Sequence, residues 1–561
     1  MRPSGRVIRS GRIRPRGACD DVGMDAPRGS SLMKSAGVAG SAMMASRVLG
    51  LAREQVMAHL FGASDQMDAF NVAFRLPNLV RDLFAEGAMS ASFVPTFTRH
   101  LQRHGREAAW TLGRRALTAL MIVTGAIAAV GIVAAPAMTV AFAGGFASVP
   151  GKLELTIQLT RVMFPFLVLV AAAVAMMGML NALGRFFIPA LSPAMFNVAS
   201  IASAIALVPL MPRWGLDPVM GLAIGVLLGG CGQVLMQWPL LHREGFRFRP
   251  DVAPRDPALH EILLLMGPGT VGLAATQFNV YVNTVLATSQ ESGAVSWLNY
   301  AFRILYLPVG IFGVSIATAA LPMLSRQAAT NDTVALRHTV SHASRLMLML
   351  NIPATFGLIV LAVPIVRIIF ERGEFGPTDT LAVSAALVAY SPGLLGYSLV
   401  KVLSPTFYAM RDARTPAMVS MAAVLVNAGL NVVLVRIYGY LGLSAGTAIA
   451  SLVNAGLLLW LLRRRLGGID GQRIASAVAR MAVASSAMAA SAWAAHAGLE
   501  HLVPGPMLVV QIARVGLSIL AGVIVLVGAS RLLRIDEFDE AIGKLLRRLR
   551  PGTRPAGGTG G

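Results

Sequence analysis

Four arginines lie within stretches of this sequence that are otherwise apolar enough to enter a membrane. Arg47, Arg53 and Arg81 belong to the segment 46–99, and Arg303 belongs to the run SWLNYAFRILYLP. An arginine at the centre of a bilayer costs about 3 kcal/mol on the insertion scale, so such residues usually face a bundle interior or a wet cavity. Guanidinium groups bind phosphate oxygens through paired hydrogen bonds. We therefore predict that these arginines line a cavity for a large anion, and that together they suit a diphosphate.

Acidic and amide side chains accompany the arginines in the same segment. Asp68 lies at the start of the second predicted span (69–98), where its carboxylate could cap the helix, act in a gate or pair with Arg75. Glu86 lies deeper in that span and could pair with an arginine, or titrate and couple transport to protons. Asn78 is a further candidate for gating or pairing. Few acids lie near Arg303 in the sequence, so we expect that residue to lack an acidic partner.

Three polar residues on later apolar runs could bind a cation. Asn427 and Asn431 are four positions apart, and Thr447 follows on the next run. Their oxygens could hold a sodium ion, although hydrogen bonding between helices is the role that this pattern favours. The sequence has no H-E-x-x-H motif, P-loop or nucleophile elbow. We therefore predict no firm metal site, no cofactor and no enzyme site.

The composition is that of a membrane protein. Of 561 residues, 55% are hydrophobic and only 13% are charged, whereas about a quarter of a soluble domain is charged. Apolar runs of about twenty residues recur along the chain, and each could cross a bilayer as a helix. A β-barrel would show shorter segments of alternating polarity instead. We predict an all-α polytopic membrane protein with about 14 transmembrane helices.

The net charge of +21 lies mainly in the tails and in the connections between apolar runs. The even-numbered connections are rich in arginine, whereas the odd-numbered ones are nearly bare of basic residues. The second connection, for example, carries Arg99, Arg103, Arg106, Arg114 and Arg115. The positive-inside rule then places the even connections and both termini in the cytoplasm. Membrane topology explains the charge better than nucleic-acid binding does, so we predict no nucleic-acid partner.

Two pairs of motifs recur at a spacing of 227 residues. VPTFTR (94–99) matches LPMLSR (321–326), and NALGRFFIPA (181–190) matches YAMRDARTPA (408–417). Each repeat has six predicted spans, and because this number is even, both repeats enter the membrane from the same side. The repeats are therefore parallel and related by a pseudo-two-fold axis. In such proteins the substrate site lies between the repeats.

The predicted domain organisation follows from the spans and the repeat. Residues 1–31 form an Arg-rich extension, which is either a disordered tail or the result of a mis-called start. We then predict six-helix lobes at 32–242 and 258–466. Two C-terminal helices follow within 472–533, and a cytoplasmic tail at 534–561 ends the chain.

Three stretches resemble one known family. The segment SRVLGLAREQVMAHLFGASDQMDAFNVAFRLPNLVRDLFAEGAMSASFVP is similar to the N-terminal signature of the MurJ (MviN) family of bacterial lipid II flippases. SWLNYAFRILYLPVGIFGVSIATAALPMLS and LVKVLSPTFYAMRDARTP resemble its eighth span and tenth loop. The resemblance covers roughly residues 32–535. The family belongs to the multidrug/oligosaccharidyl-lipid/polysaccharide exporter superfamily.

The resemblance implies a fold and a set of binding residues. It implies two six-helix lobes arranged as a V, with two further helices (474–531) that form a groove for the polyprenyl tail. The acid at the start of the family's second span matches Asp68. The family's diphosphate-binding arginines fall on Arg47, Arg53, Arg81 and Arg303.

The chain also departs from the family pattern. Glu54 stands where many members have aspartate, and Phe302 stands where members have an acid. The acids of the family's proposed sodium site are amides here, which argues against sodium coupling.

These observations predict a transporter of the bacterial inner membrane that moves lipid II, the undecaprenyl-diphosphate-linked peptidoglycan precursor, from the cytoplasmic to the periplasmic leaflet by alternating access. Its expected partners are lipid II, membrane lipids and the cell-wall synthesis machinery. The alternatives are a flippase for another polyprenyl-linked oligosaccharide and a multidrug exporter of the same superfamily, although an exporter of cations should have acids in its cavity. A membrane glycosyltransferase would need acids in soluble loops, and a structural scaffold would have no use for buried arginines.

Overall fold

The computed structural model describes residues 29–82, 88–535 and 538, and within that part of the chain the ordered elements are helices. The first repeat contains α1 (Gly29–Phe61), α2 (Asp65–Arg81), α3 (Ala88–Ala143), α4 (Lys152–Met163), α5 (Phe166–Ala182), α6 (Phe187–Leu207) and α7 (Met220–Arg243). The second repeat contains α8 (Pro257–Thr288), α9 (Ala294–Pro308), α10 (Val314–Ala329), α11 (Thr333–Val360), α12 (Ala362–Phe370), α13 (Pro377–Tyr390), α14 (Gly393–Ala409), α15 (Arg414–Tyr438) and α16 (Tyr440–Arg465). The chain continues with α17 (Gly471–Leu502) and α18 (Leu508–Leu532).

The fold class predicted from composition is confirmed. Among the described helices, ten are long and apolar enough to cross a membrane, or eleven if α13 and α14, which meet at a bend of 47°, form one span. The protein is therefore an all-α, multi-pass membrane protein. The count of about 14 spans is not confirmed. Residues 1–28, Glu86 and most of 534–561 lie outside the described residues.

The helix boundaries differ from the predicted spans. Within the second predicted span (69–98), α2 ends at Arg81 and α3 begins at Ala88, and residues 83–87 lie outside the described residues. The predicted eighth span is interrupted by a π-helical turn, Val309–Gly313, between α9 and α10. Apolar runs show which segments enter the membrane but do not show where a helix breaks.

The internal repeat has counterparts in the backbone. The break between α4 and α5 falls at Pro165, and the break between α13 and α14 falls at Pro392, which is 227 residues later. Gly184 and Arg411, which have the same spacing, both adopt a left-handed conformation, with φ of 75° and 60°. Arg411 accepts a conformation that usually favours glycine, which indicates that the turn geometry is needed in both repeats.

The connection between α14 and α15 is fixed by Asp412. Its carboxylate accepts hydrogen bonds from the backbone N–H of Thr415 (3.0 Å) and from the Thr415 hydroxyl (2.7 Å), and it forms an ion pair with Arg465 at the end of α16. The hydrogen bonds from Thr415, together with Arg465, lower the pKa of Asp412 to about 2. The carboxylate therefore stays ionised at neutral pH and holds α15 against α16.

A buried apolar cluster joins the two repeats at one end of the bundle. Ala58 and Val72 of the first repeat pack there with Trp297, Tyr300 and other residues of the second. We call this end the outer end, because the charge pattern predicts that its connections, 62–64 and 289–293, face the periplasm. The opposite end is called the inner end.

Candidate functional site

A chamber lies between the two repeats, inward of the outer end. About 480 Å³ of empty space, part of it open to solvent, lies between its walls. Its charged side chains are Arg53 and Glu54 of α1 and Arg303 of α9. The rest of its wall consists of Met57, Met67, Phe70, Asn71, Phe74, Phe196, Ser200, Leu222, Val226 and Asn299.

Glu54 bridges two of the predicted arginines across the repeats. Its Oε1 lies 2.6 Å from Nη2 of Arg53 and 3.2 Å from Nη2 of Arg303. The side chains of Arg53 and Glu54 are only 11% and 9% exposed, whereas that of Arg303 is 54% exposed. Arg53 also lies over the Phe196 ring, with Cζ 5.4 Å from its centroid. The expectation that Arg303 lacks an acidic partner is wrong, because its partner comes from a distant part of the sequence.

Arg75 contributes a third guanidinium at the same level. It donates hydrogen bonds to the Thr284 hydroxyl of α8 (2.8 Å) and to Oδ1 of Asn299 on α9 (3.4 Å). It does not pair with Asp68, and no carboxylate of the described residues lies within ion-pair distance of it. Three guanidinium groups and the single carboxylate of Glu54 leave two uncompensated positive charges around Asn299 and the chamber. This excess matches the charge of a diphosphate diester.

The other two predicted arginines lie outside the chamber. Arg47 is exposed, and its guanidinium lies so close to Gly310 of the π-helical turn that a β-carbon would not fit there. Arg81 forms an ion pair with Asp82 (2.8 Å), and Asp82 accepts a hydrogen bond from Gln277 of α8 (3.3 Å). Arg81 is six residues from Arg75, or about 9 Å along the helix. Both arginines therefore lie at contacts between the repeats on the inner side of the chamber.

Lys401 is a basic residue within α14 that the sequence analysis did not select. Its side-chain stem lies 3.8 Å from where a β-carbon on Gly313 would be, so it flanks the π-helical turn. In the part of the chain that the structure describes, it has no ion-pair partner. The signal that could have identified it is the same one that selected the arginines, a charge within an apolar run.

Asp68 caps a helix of the opposite repeat. Its Oδ1 accepts hydrogen bonds from the N–H (2.9 Å) and the hydroxyl (2.7 Å) of Ser296, and its Oδ2 accepts one from the N–H of Gly293 (2.8 Å). The cap of its own helix is Ser64, which accepts a hydrogen bond from the N–H of Met67 (3.4 Å). Unpaired N–H groups at a helix N-terminus favour a carboxylate, so Asp68 binds α9 firmly.

Lys152 neutralises this buried carboxylate. Its Nζ lies 2.9 Å from Asp68 and 2.6 Å from Asp65, and its side chain is 3% exposed. In the sequence, Lys152 is one of the few basic residues of the odd-numbered connections. We call the set of Asp68, Lys152, Gly293 and Ser296 the outer clamp. Since a buried carboxylate without a partner is costly, the clamp holds together as a unit.

A second set of contacts reinforces the outer clamp. Asp379 of α13 accepts hydrogen bonds from Nε1 of Trp297 (2.9 Å) and from the N–H of Ala63 (3.4 Å). The backbone N–H of Glu374 donates to the carbonyl of His59 (3.0 Å).

Glycine permits the close approach of the two repeats at the outer end. A β-carbon on Gly293, which has a φ of 91°, would lie 2.6 Å from the carbonyl oxygen of Ala63. The two repeats therefore meet backbone to backbone at the outer end.

Of the remaining gate candidates, Asn78 is not part of the outer clamp. It is ten residues from Asp68, or about 15 Å along α2, and its Oδ1 is buried without a hydrogen-bond partner in the described structure. Glu86 lies outside the described residues. Roles in gating stay predictions for both.

The polar residues considered for sodium are hydrogen-bonded to one another. Nδ2 of Asn431 donates to Oδ1 of Asn283 (2.5 Å) and to Oδ1 of Asn427 (3.0 Å), and Nδ2 of Asn427 donates to the Thr447 hydroxyl (3.4 Å). This chain of contacts connects α8, α15 and α16. It is the interhelical arrangement that the sequence pattern favoured.

Two helical repeats that line a chamber between them, with a clamp at one end, form the architecture of a membrane transporter. A family model described as "Lipid II flippase MurJ" matches residues 57–513. The chain is 37% identical over 434 residues to "Probable lipid II flippase MurJ" of Vibrio cholerae, covering 76% of this chain and 82% of that protein. It is 35% identical over 424 residues to "Lipid II flippase MurJ" of Burkholderia cenocepacia, covering 75% and 81%. The chain belongs to the lipid II flippase MurJ family.

Solved structures show a similar fold. One described as "Lipid II flippase MurJ, inward closed conformation" matches with a TM-score of 0.71 and 24% identity, over 88% of this chain and 99% of that one. An inward-facing MATE-family multidrug transporter of the MOP superfamily matches with a TM-score of 0.64 and 17% identity, over 77% and 98%. These two similarities show that the chain shares its fold with both structures.

Proposed function

We propose that this protein flips lipid II from the cytoplasmic to the periplasmic leaflet of the bacterial inner membrane. The observation that carries the proposal is the link between Arg53, Glu54 and Arg303, which places two guanidinium groups from opposite repeats on one carboxylate inside a chamber. Guanidinium groups suit phosphate oxygens for the same geometric reason that they suit a carboxylate. A diphosphate can therefore replace Glu54 as their shared partner.

Glu54 acts in this proposal as a stand-in for the substrate. Without substrate its carboxylate pairs with both Arg53 and Arg303, so neither of these two guanidinium groups is left without an acidic partner. When the diphosphate enters, it takes over both guanidinium groups, and Glu54 turns away. When the substrate leaves, Glu54 returns. The exchange keeps the cost of an empty chamber low and helps to release a substrate that would otherwise bind too tightly.

Export also requires the outer clamp to open. Its contacts join α2 to the start of α9, so they must break before a headgroup in the chamber can reach the periplasm. The contacts of Arg47 with Gly310 and of Asp82 with Gln277 lie on the inner side and would separate in the opposite phase. We assign Arg47 and Arg81 to this inner entrance, where they first attract the diphosphate.

The two C-terminal helices suit a role in binding the polyprenyl tail, as the family resemblance implies. α17 packs against α18 and against α11 of the second repeat. A narrow cavity between α11 and α17 is lined mainly by apolar side chains: Arg345, Leu348, Met349, Ile352, Ala477, Val478, Met481 and Ile535. In this proposal the tail stays beside these helices while the headgroup crosses. The further partners we propose are membrane lipids and the cell-wall synthesis machinery.

The orientation has a direct test in a chain whose cysteines, Cys19 and Cys231, are replaced by serine. A cysteine at Ala147, in an exposed outer connection, should react in spheroplasts with a membrane-impermeant maleimide. A cysteine at Val252, which is 69% exposed on an inner connection, should react only after the membrane is permeabilised. The reverse pattern would contradict the proposed orientation and, with it, the direction of export.

We expect export to be independent of sodium. Of the three candidate side chains, two already have oxygens that accept hydrogen bonds, Asn427 from Asn431 and Thr447 from Asn427. Exchange of sodium for potassium on both sides of reconstituted vesicles should therefore leave the rate of lipid II flipping unchanged. A loss of flipping in potassium alone would show that the amides bind sodium during the cycle.

The proposed function is tested by complementation. A bacterium depleted of its own lipid II flippase should regain growth when it expresses this chain, and lipid II should again become accessible to a periplasmic probe. A stably expressed chain that restores neither growth nor accessible lipid II would contradict the proposal. Export of a different polyprenyl-linked glycan in the same cells would favour the alternative flippase.

A further inference from the structure

Four aromatic side chains form a cluster beside Arg303. Phe302 of α9 is the centre, with ring centroids 5.5 Å from Tyr306, 5.7 Å from Tyr390 and 5.9 Å from Tyr397. Tyr306 and Tyr397 also contact each other edge to face at 6.4 Å. These are the distances and angles at which aromatic rings attract one another, so the rings support each other as a rigid platform.

Tyr306 exposes this platform toward the space between the repeats. The residue is 41% exposed although the rings of Phe302 and Tyr397 pack against it. It is three positions from Arg303, which reaches Glu54 on α1, and four positions from Gly310, which contacts Arg47 on α1. Residues at this spacing share one face of a helix. Tyr306 therefore lies on the face of α9 that is directed toward α1 of the opposite repeat.

The chemistry of this platform suits a sugar ring. A pyranose has one face of C–H bonds and a rim of hydroxyl groups, and the face of an aromatic ring is negative and attracts polarised C–H groups. Tyr306 offers such a face with a hydroxyl at its tip, and Asn299 lies on the same side of α9. A site for a polyprenyl chain would instead be lined by branched aliphatic residues, as the cavity beside α17 largely is.

We propose that Tyr306, supported by Phe302 and Tyr397, stacks on the sugar that is attached to the diphosphate of the lipid-linked substrate. The inference rests on the proposed function and deepens it, since it assigns the first sugar to a position next to Arg303. Three residues of α-helix rise about 4.5 Å, which is the separation expected between a diphosphate and the sugar it carries. The platform thus distinguishes a glycosylated lipid diphosphate from a bare one.

The test compares two ligands on the purified full-length protein. One is a short-chain polyprenyl diphosphate without sugar, and the other is the same lipid diphosphate carrying the lipid II disaccharide and peptide. Native mass spectrometry gives the dissociation constant for each, and their ratio measures the preference for sugar. The Tyr306→Ala variant should lose about fivefold of this preference, while its affinity for the bare diphosphate stays the same.

Three further variants separate stacking from packing. Tyr306→Phe keeps the ring and should retain most of the preference, whereas Tyr306→Leu keeps the bulk without an aromatic face and should lose it. If Tyr306→Ala fails to fold, Tyr306→Leu replaces it as the variant that lacks an aromatic face. Tyr408→Ala removes a tyrosine of α14 that is 55% exposed and outside the cluster, and it should change neither dissociation constant.

Each other outcome decides against the inference. An equal loss of affinity for both ligands would mean that Tyr306 contacts the tail or the diphosphate. No change in either constant would mean that the ring does not touch the ligand. A wild-type protein that binds both ligands equally would refute sugar stacking but leave the proposed function standing. A wild-type protein that binds neither would refute the proposed function itself.

Discussion

The Arg303→Ala variant should lose lipid II export while it still inserts and folds. Removal of a guanidinium that binds an anion through charge-assisted hydrogen bonds should weaken binding by about 10- to 100-fold. Folding should survive, because Glu54 keeps its 2.6 Å contact with Arg53 and because the loss of a membrane charge does not hinder insertion. Arg303→Lys keeps the charge but loses the planar fork, so it should retain only part of the activity. Complementation and flipping in vesicles measure both variants.

The matched control for this prediction is Arg213→Ala. Arg213 lies in an exposed turn at the outer end, away from the chamber, and its loss should leave export unchanged. Lipid II export at the wild-type rate by stably expressed Arg303→Ala would show that the arginine does not act on the substrate.

The Asp68→Ala variant should open the outer end and abolish export. The change removes the acceptor of three hydrogen bonds from Gly293 and Ser296 and leaves Lys152 with Asp65 as its only ion-pair partner among the described residues. These three hydrogen bonds cross the repeats, whereas the ion pair with Lys152 lies within the first repeat. A hydrogen bond to a charged group is worth about 1.5–3 kcal/mol, so the loss of three is enough to shift a two-state equilibrium from closed to open. The transporter would then stay open to the periplasm and could not return to collect substrate.

Labelling of a chamber residue measures this shift. A cysteine at Ser200, a buried residue of the chamber wall, should react with a periplasmic maleimide at least about tenfold faster in the Asp68→Ala background. Asp217→Ala provides the control, because Asp217 is also an acid of the outer end, but its carboxylate accepts hydrogen bonds from Gln66 and Val219 of its own repeat. Unchanged labelling in folded Asp68→Ala would mean that the clamp does not close the outer end.

The sequence was sufficient for the features that depend on local composition. Helical membrane spans follow from runs of apolar residues, and the expense of burying charge singles out Arg53 and Arg303 by residue type and position alone. The repeat predicted from motifs 227 residues apart recurs in the breaks at Pro165 and Pro392, although the breaks themselves were not predicted. These signals are local, or repeat at a fixed distance, so they can be found along the chain.

The partners of these residues could not be found in this way. Glu54 and Arg303 belong to different repeats, as do Asp68 and Ser296, and only the packing of the repeats brings them together. Lys152 lies between two apolar runs, which predicts an exposed connection, although the fold buries it against two acids. The sequence did not identify Tyr306 as a candidate binding residue, because aromatic residues are common in apolar runs. Only the structure shows that its ring is exposed near Arg303.

The central claim is that Arg53 and Arg303 bind the diphosphate and that Glu54 occupies their site in its absence. The most direct test is the dissociation constant of lipid II, measured by native mass spectrometry, for the wild type, Arg303→Ala and Glu54→Gln. Glutamine keeps the size of the side chain but no longer competes as an anion. We predict that Glu54→Gln binds lipid II more tightly than the wild type and that Arg303→Ala binds it more weakly. If both variants bind more weakly by the same factor, the three residues form a structural link between the repeats and the account is wrong.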